Sequence, residues 1–329
     1  MPLRHLVLAL TLLATAAPAV AAECGGQDLI AKVKAETPDK YAAFETAGQA
    51  IPNADGLLWR IEKDGKPASY LFGTMHTTEP DLVALSEPVK AALAQSSTVA
   101  VEIADANSAA SQAAMVAYVT SNGIDLSGAA LNGFAPEQIT EIKRRLKGAG
   151  MPESIATVLK PWFLALTLEV SACELKKMSE GKPTVDATVE ALGRAKGAEI
   201  VSLESVGEQL DAVSRISEET ARKMIRESVA KPDGGDDQQA TTLALYRARR
   251  VGWYFAMTKE TFGEAMDLSS YADFVEGIVD KRNRLMTERV KPLLEKGSAL
   301  IAVGALHLPG EKGLVELLRA EGYTLVKVW

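Results

Sequence analysis

"SALIAVGALHLPGEKGLVELLRAEGYTLVKVW" (298–329) decides the fold. It opens as an apolar strand, passes Gly304 and His307, and turns at Pro309-Gly310. It then runs on as a helix, "GLVELLRAEG" (313–322), and closes as a strand, "TLVKVW" (324–329). The order recurs near the other end of the chain. "SYLFGTMHTTEP" (69–80) is a strand followed by Gly73, His76 and Pro80, and it leads into a helix from about 81 to 95 and the strand "STVAVEIAD" (97–105). Strands interspersed with helices give an α/β class, or α+β with a large helical insertion. The sequence predicts a central sheet built from two similar halves, each bearing a Gly-x-x-His loop.

Outward from these halves, "GLLWRIEKDGKPASYLFGTMH" (56–76) reads as a hairpin of runs 57–62 and 69–73 about the turn signal Asp64-Gly65. Residues 26–50 are helical in period. Helical insertions are expected over about 107–180 and 206–297. Within them "KPWFLALTLEVSACELKKM" (160–178) reads as one buried helix and "KRRLK" (143–147) as a solvated helix face. Between them, 183–205 reads as helix then strand. "KPDGGDDQQA" (231–240) reads as a flexible loop, and its Asp233, Asp236 and Asp237 lack the calcium-loop spacing.

The 329 residues are 47% hydrophobic and 24% charged, with a net charge of −7, so nothing in the composition favours a nucleic-acid partner. The N-terminus has a short positive start, an apolar run from Leu6 to Leu13, and small residues at "AVAA" (19–22). This is a signal peptide over 1–22, leaving 23–329 as a single exported domain, periplasmic or secreted, without integral membrane contact. In an oxidising compartment Cys24 and Cys173 allow one bridge; a free buried Cys173 is the rival.

Apart from His5 in the signal peptide, the chain holds two histidines, His76 and His307, each three residues after a glycine. With glycine at about 7% of residues, coincidence gives roughly one chance in two hundred. Loops beyond strand ends face the crevice where α/β sheets bind ligands, so loops from adjacent strands would bring the two rings together. Glu102, in the otherwise apolar "VAVEIAD", demands a cation nearby, because a buried unpaired charge costs several kcal/mol. Glu204 ends "EIVSLES" in the same manner, and Asp186 in "PTVDATV" reads as a site carboxylate or as a helix cap. Arg282 and Asn283 lie on the charged helix leading into the second histidine strand.

Together "LLWRIEKDGKPASYLFGTMH", "VAVEIAD", "IVSLESVGEQL", "KRNRLM" and the final strand–helix–strand resemble the TraB/GumN family, which includes the Tiki metalloproteases that act on Wnt proteins. The resemblance runs over essentially the whole chain after residue 22. It implies a catalytic or binding set at His76, Glu102, Arg282, Asn283 and His307, and divalent-metal-dependent peptide cleavage with manganese or cobalt favoured.

The chemistry that follows is a metal-activated water held by His76, His307 and a carboxylate. Glu102 serves as ligand or base, Glu204 stands as a second carboxylate, and Arg282 holds a substrate carboxylate or oxyanion. The His-Glu-x-x-His helix motif of zinc proteases is absent, so Mn, Co or Zn all stay open. Substrates are peptides or small molecules. Two alternatives remain: a non-catalytic ligand- or peptide-binding protein of the same fold, and a metal-free esterase with a histidine base oriented by Glu102. Seven Phe and seven Tyr speak against a haem pocket.

Overall fold

Six strands form one sheet in the computed structural model, which describes residues 24–232 and 234–329. The expected signal peptide and Asp233 lie outside the described residues. The strands are β1 (Leu58–Glu62), β2 (Ser69–Thr74), β3 (Thr98–Val101), β4 (Glu199–Ser202), β5 (Ala299–Gly304) and β6 (Thr324–Lys327), in the order β4-β3-β5-β2-β1-β6. Strands β4, β3, β5 and β2 run parallel, and β1 is antiparallel to both β2 and β6. The architecture is α/β, and the two histidine strands are neighbours, with Thr74 opposite Gly304.

Burial explains the strand pattern. β2 and β3 are buried at every position, because helices cover both faces of the parallel part of the sheet. Val99 and Val101 pack with Phe72, Leu300 and Ala302 on one face. Ala100 packs with Leu71, Ile301 and Val303 on the other. The alternation expected through Ile103 therefore gives way to a shorter strand buried on two sides. Glu102 is the first residue beyond its end rather than a charge within it.

The two halves share element order but not sheet spacing. The connection from β2 to β3 passes one strand, whereas that from β5 to β6 passes two. Helices between β3 and β4, and between β4 and β5, form the expected insertions and a core of their own around Ile142, Leu146, Trp162, Leu164 and Ile225.

Several expected helices break at prolines or strained residues. Residues 26–50 give Leu29–Glu36 and Pro38–Ala50, divided where Thr37 precedes proline. The helix from about 81 to 95 divides at Leu85, which has φ 49°. Residues 160–178 give Pro161–Glu169 and Ala172–Ser179. The predicted loop at 231–240 is instead the start of the helix Gly234–Arg247. Asp236 and Asp237 lie in its first turn, where acid groups suit the helix dipole. "KRRLK" is not wholly solvated either, since Arg145 is buried against Glu141, Ser228 and the Lys231 carbonyl. Cys24 and Cys173 are bridged, so the free-thiol alternative falls. Among the described residues, no helix is long and apolar enough to cross a membrane.

Candidate active site

Four parallel strands end along one edge of the sheet, and each delivers a polar residue just beyond its last ladder position. β2 supplies His76, β3 Glu102, β4 Glu204 and β5 His307.

Glu102 is the hub. Its Oε1 accepts the Gly304 amide at 2.7 Å and lies 3.7 Å from His307 Nε2. Its Oε2 accepts from Arg282 Nη2 at 2.7 Å and from Gln209 Nε2 at 2.8 Å. Burial pushes this carboxyl up, but the Arg282 charge, with the two histidines and the Gly304 amide, outweighs it and holds the group at about 2. A β-carbon on Gly304 would sit 3.2 Å from Glu102 Oε1 and 3.6 Å from His307 Cδ2. The glycine of this loop therefore makes room for the carboxylate that its own amide binds.

The cation that a buried Glu102 demands is Arg282. It also binds Glu204, through Nε at 3.0 Å and Nη2 at 2.6 Å, and donates Nη1 to the Ile278 carbonyl at 3.1 Å. A π-helical turn, Glu276–Asp280, precedes the helix Lys281–Lys296 that carries it. Arg282 is thus a clamp on two carboxylates. The open hand for a substrate anion expected from sequence is not what these bonds leave.

Asn283, the next residue, turns to the other histidine. Its Nδ2 donates to the Lys312 carbonyl at 2.8 Å, so its Oδ1 accepts from His307 Nδ1 at 2.6 Å. That assignment leaves Nε2 as the lone-pair atom of His307, on the Glu102 side. The ring is 5% exposed, and burial lowers its pKa to about 4.

His76 is held differently. Its Nδ1 meets Asp186 Oδ2 at 2.8 Å, while Thr74 donates to Asp186 Oδ1. The ring is 61% exposed toward the cleft, and the Asp186 charge, against partial desolvation, raises it to about 9. The cap reading of Asp186 fails, because the Thr184 side chain accepts from the Ala187 amide and caps the helix Val185–Ala195. Asp186 thus takes the site-carboxylate side of its two readings, and Gln209 is a residue of the site that the sequence did not single out.

A cleft of about 740 Å³ opens over these groups, lined by His76, Glu102, Asp186 and Gln209 and walled by residues from 103–112 and 178–194. His76, His307 and Glu102 are not drawn within 4.8 Å of one another; among the described residues, the group whose ligand-type atoms all lie that close is a separate one, Cys24, Glu79 and Glu174. Its sulfur is bonded to Cys173, and Glu79 is paired with Lys177 and Arg247, so it offers no thiolate and one carboxylate already neutralised.

The model of the TraB/PrgY/gumN family matches residues 57–327. A protein of Amphimedon queenslandica named "Metalloprotease TIKI homolog" is 24% identical over 332 residues, covering 88% of this chain and 64% of its own length. The chain thus spans less than two thirds of that relative. No solved structure gives a significant match.

Proposed function

Because the chain belongs to the TraB/PrgY/gumN family, we propose that it is a metal-dependent peptidase whose divalent cation is held by His76, His307 and Glu102. The observation that carries this reading is the meeting of the two Gly-x-x-His loops beside one ionised carboxylate at the ends of adjacent parallel strands. The donor types, two imidazoles and a carboxylate, suit Mn, Co or Zn, and a bound ion would draw His76 toward the other two. Each ring is fixed at Nδ1 by another side chain and presents Nε2, the carboxylate-or-amide–histidine arrangement that supports metal ligands. The negative field of Asp186 and Glu102 that raises His76 is also the field that draws a cation.

When bound, such a cation lowers the pKa of a coordinated water and polarises a scissile carbonyl. The chain's own residues do the rest. Asp186 and Asn283 hold the rings in one tautomer and orientation. Arg282 keeps Glu102 ionised, and Glu204 balances the second half of the guanidinium. Gln209 fixes the outer oxygen of Glu102 at the cleft floor. Export is part of the same reading, since the Cys24–Cys173 bridge suits an oxidising compartment and residues 1–22 have signal-peptide composition.

One observation favours the rival, a non-catalytic binding protein of the same fold: Arg282 already satisfies both buried carboxylates within the protein. Metal analysis after incubation with manganese, cobalt or zinc, beside His76→Ala and His307→Ala, tests the site. Stoichiometric metal in the wild type and its loss in both variants is expected. A wild type that stays metal-free sinks the reading. Cleavage of a peptide library that survives chelation points to the metal-free esterase; binding of peptides without cleavage points to the rival. Glu102→Gln protein that keeps metal yet loses turnover would make Glu102 the base rather than a ligand.

A further inference from the structure

The helix Ala109–Asn122, "AASQAAMVAYVTSN", holds no charged residue in a chain that is 24% charged, and none of its residues is fully buried. One side is anchored: Tyr118 Oη bonds to Asp211 and to Ser214 at 2.9 Å. An adjoining flank belongs to the cleft. Ser108, its N-cap, and Gln112 line the same cavity as His76 and Glu102. Helix periodicity puts Met115 and Val116, three and four residues after Gln112, on the continuation of that flank. They stand 45% and 65% exposed. The cleft lining around His76, Glu102, Ser108 and Gln112 is polar and charged, and the helix surface next to it, at Met115 and Val116, is apolar.

Deepening the peptidase reading, on which it rests, we infer that the Gln112–Met115–Val116 flank is the docking surface for apolar side chains of an extended polypeptide substrate. These side chains lie to one side of the bond held over His76 and Glu102. Continuity with the cleft selects this occupant. A cavity of about 740 Å³ exceeds what one side chain fills, and a substrate that leaves it past Gln112 continues onto the two exposed side chains. The absence of charge on the helix matches an apolar segment. A membrane surface is disfavoured, since a helix that lies on lipid carries a basic fringe and this one has no Lys or Arg.

Covering the exposed parts of Met115 and Val116 is worth roughly tenfold or more in affinity. The test uses the full chain with chelator present and two uncharged fluorescein-labelled peptides of equal length. One carries a Leu-Phe-Leu block at one end; the other has Ser and Gly in its place. Fluorescence anisotropy should show the apolar peptide binding wild type at least about tenfold tighter. Met115→Glu/Val116→Glu should bring the two peptides level, while Met115→Leu/Val116→Ile keeps the difference. Both pairs of substitutions are at exposed positions, and circular dichroism verifies the fold. Equal binding of the two peptides to wild type overturns the inference, as does discrimination that survives the Glu substitutions. So does an effect of those substitutions seen only in sedimentation with phosphatidylcholine vesicles or in oligomeric state. Restoring Mn²⁺ reads the parent reading separately. Discrimination without cleavage removes the peptidase and leaves the docking surface, and cleavage without discrimination does the reverse.

Discussion

The two Gly-x-x-His loops share a pattern and differ in what stands behind the ring. His76 is open to the cleft with a carboxylate at Nδ1, and its pKa rises to about 9. His307 is buried with an amide at Nδ1, and its pKa falls to about 4. At neutral pH one ring is a cation and the other a neutral donor. The proposed metal would meet one ready ligand and one that must lose a proton. The motif therefore fixes position, while the surroundings fix charge: Asp186 raises His76 and burial lowers His307.

Glu102→Gln tests what the loops have in common. It removes the carboxylate beside His307 and in the field of His76, and leaves Arg282 with Glu204 alone. Cation affinity should fall by more than about 100-fold, beyond the range seen when only a residue behind a ligand changes. Calorimetric titration with Mn²⁺ measures it, and an unchanged affinity removes Glu102 from the ligand set and leaves it the role of base.

Asp186→Asn comes next and acts on one loop alone. Affinity should drop about 10–100-fold, as for other partners of ligating histidines. The pH dependence sharpens the comparison. His76 has a raised pKa, so its pairing with Asp186 is fully present below 6.5 and is lost as pH rises through about 9. Metal competes with that proton, so wild-type affinity should climb with pH up to about 9 and flatten above it. In Asp186→Asn the plateau should begin near 6.5, the ordinary histidine value. The mirror change, Asn283→Asp, should lift His307 from about 4, followed by its imidazole proton resonances. If neither ring moves, the Nδ1 partners do not set the difference.

How much of this was legible in the sequence follows from which signals are local. Gly73, His76, Gly304 and His307 sit at strand ends that periodicity reveals, and Glu102 stood out as a charge within an apolar run, although the strand ends one residue before it. The adjacency of β2 and β5 rests on pairing across about 230 residues, which no local pattern encodes. Asp186 was obscured because "PTVD" offers two capping side chains and Thr184 takes the role. Gln209 lies just past a capping box, Ser205 with Glu208, that accounts for polar residues without a site. Pro232, Gly234 and Gly235 read as loop signals, yet the acid groups that follow are those a helix start prefers. The buried Arg145 shows the same limit, since a charge run does not say which of its members turns inward.

The smallest effects separate the two motif glycines. A β-carbon on Gly73 would lie 3.0 Å from both Cα and Cβ of Ala305 and 3.1 Å from a Leu308 methyl. Those atoms belong to the other loop and to the core, so Gly73→Ala should push the His307 turn outward and cost about 1–3 kcal/mol of stability. Gly304→Ala meets Glu102 Oε1 at 3.2 Å, a carboxylate end that can yield by tenths of an ångström. It should leave Tm nearly unchanged and weaken metal binding by about threefold to tenfold, the scale of a slightly displaced ligand. Thermal melts and metal titrations on the two variants give opposite rankings if Gly73 serves packing between the loops and Gly304 serves the carboxylate. Equal rankings would mean that both glycines merely relax the backbone, and that the shared motif marks a turn before it marks a site.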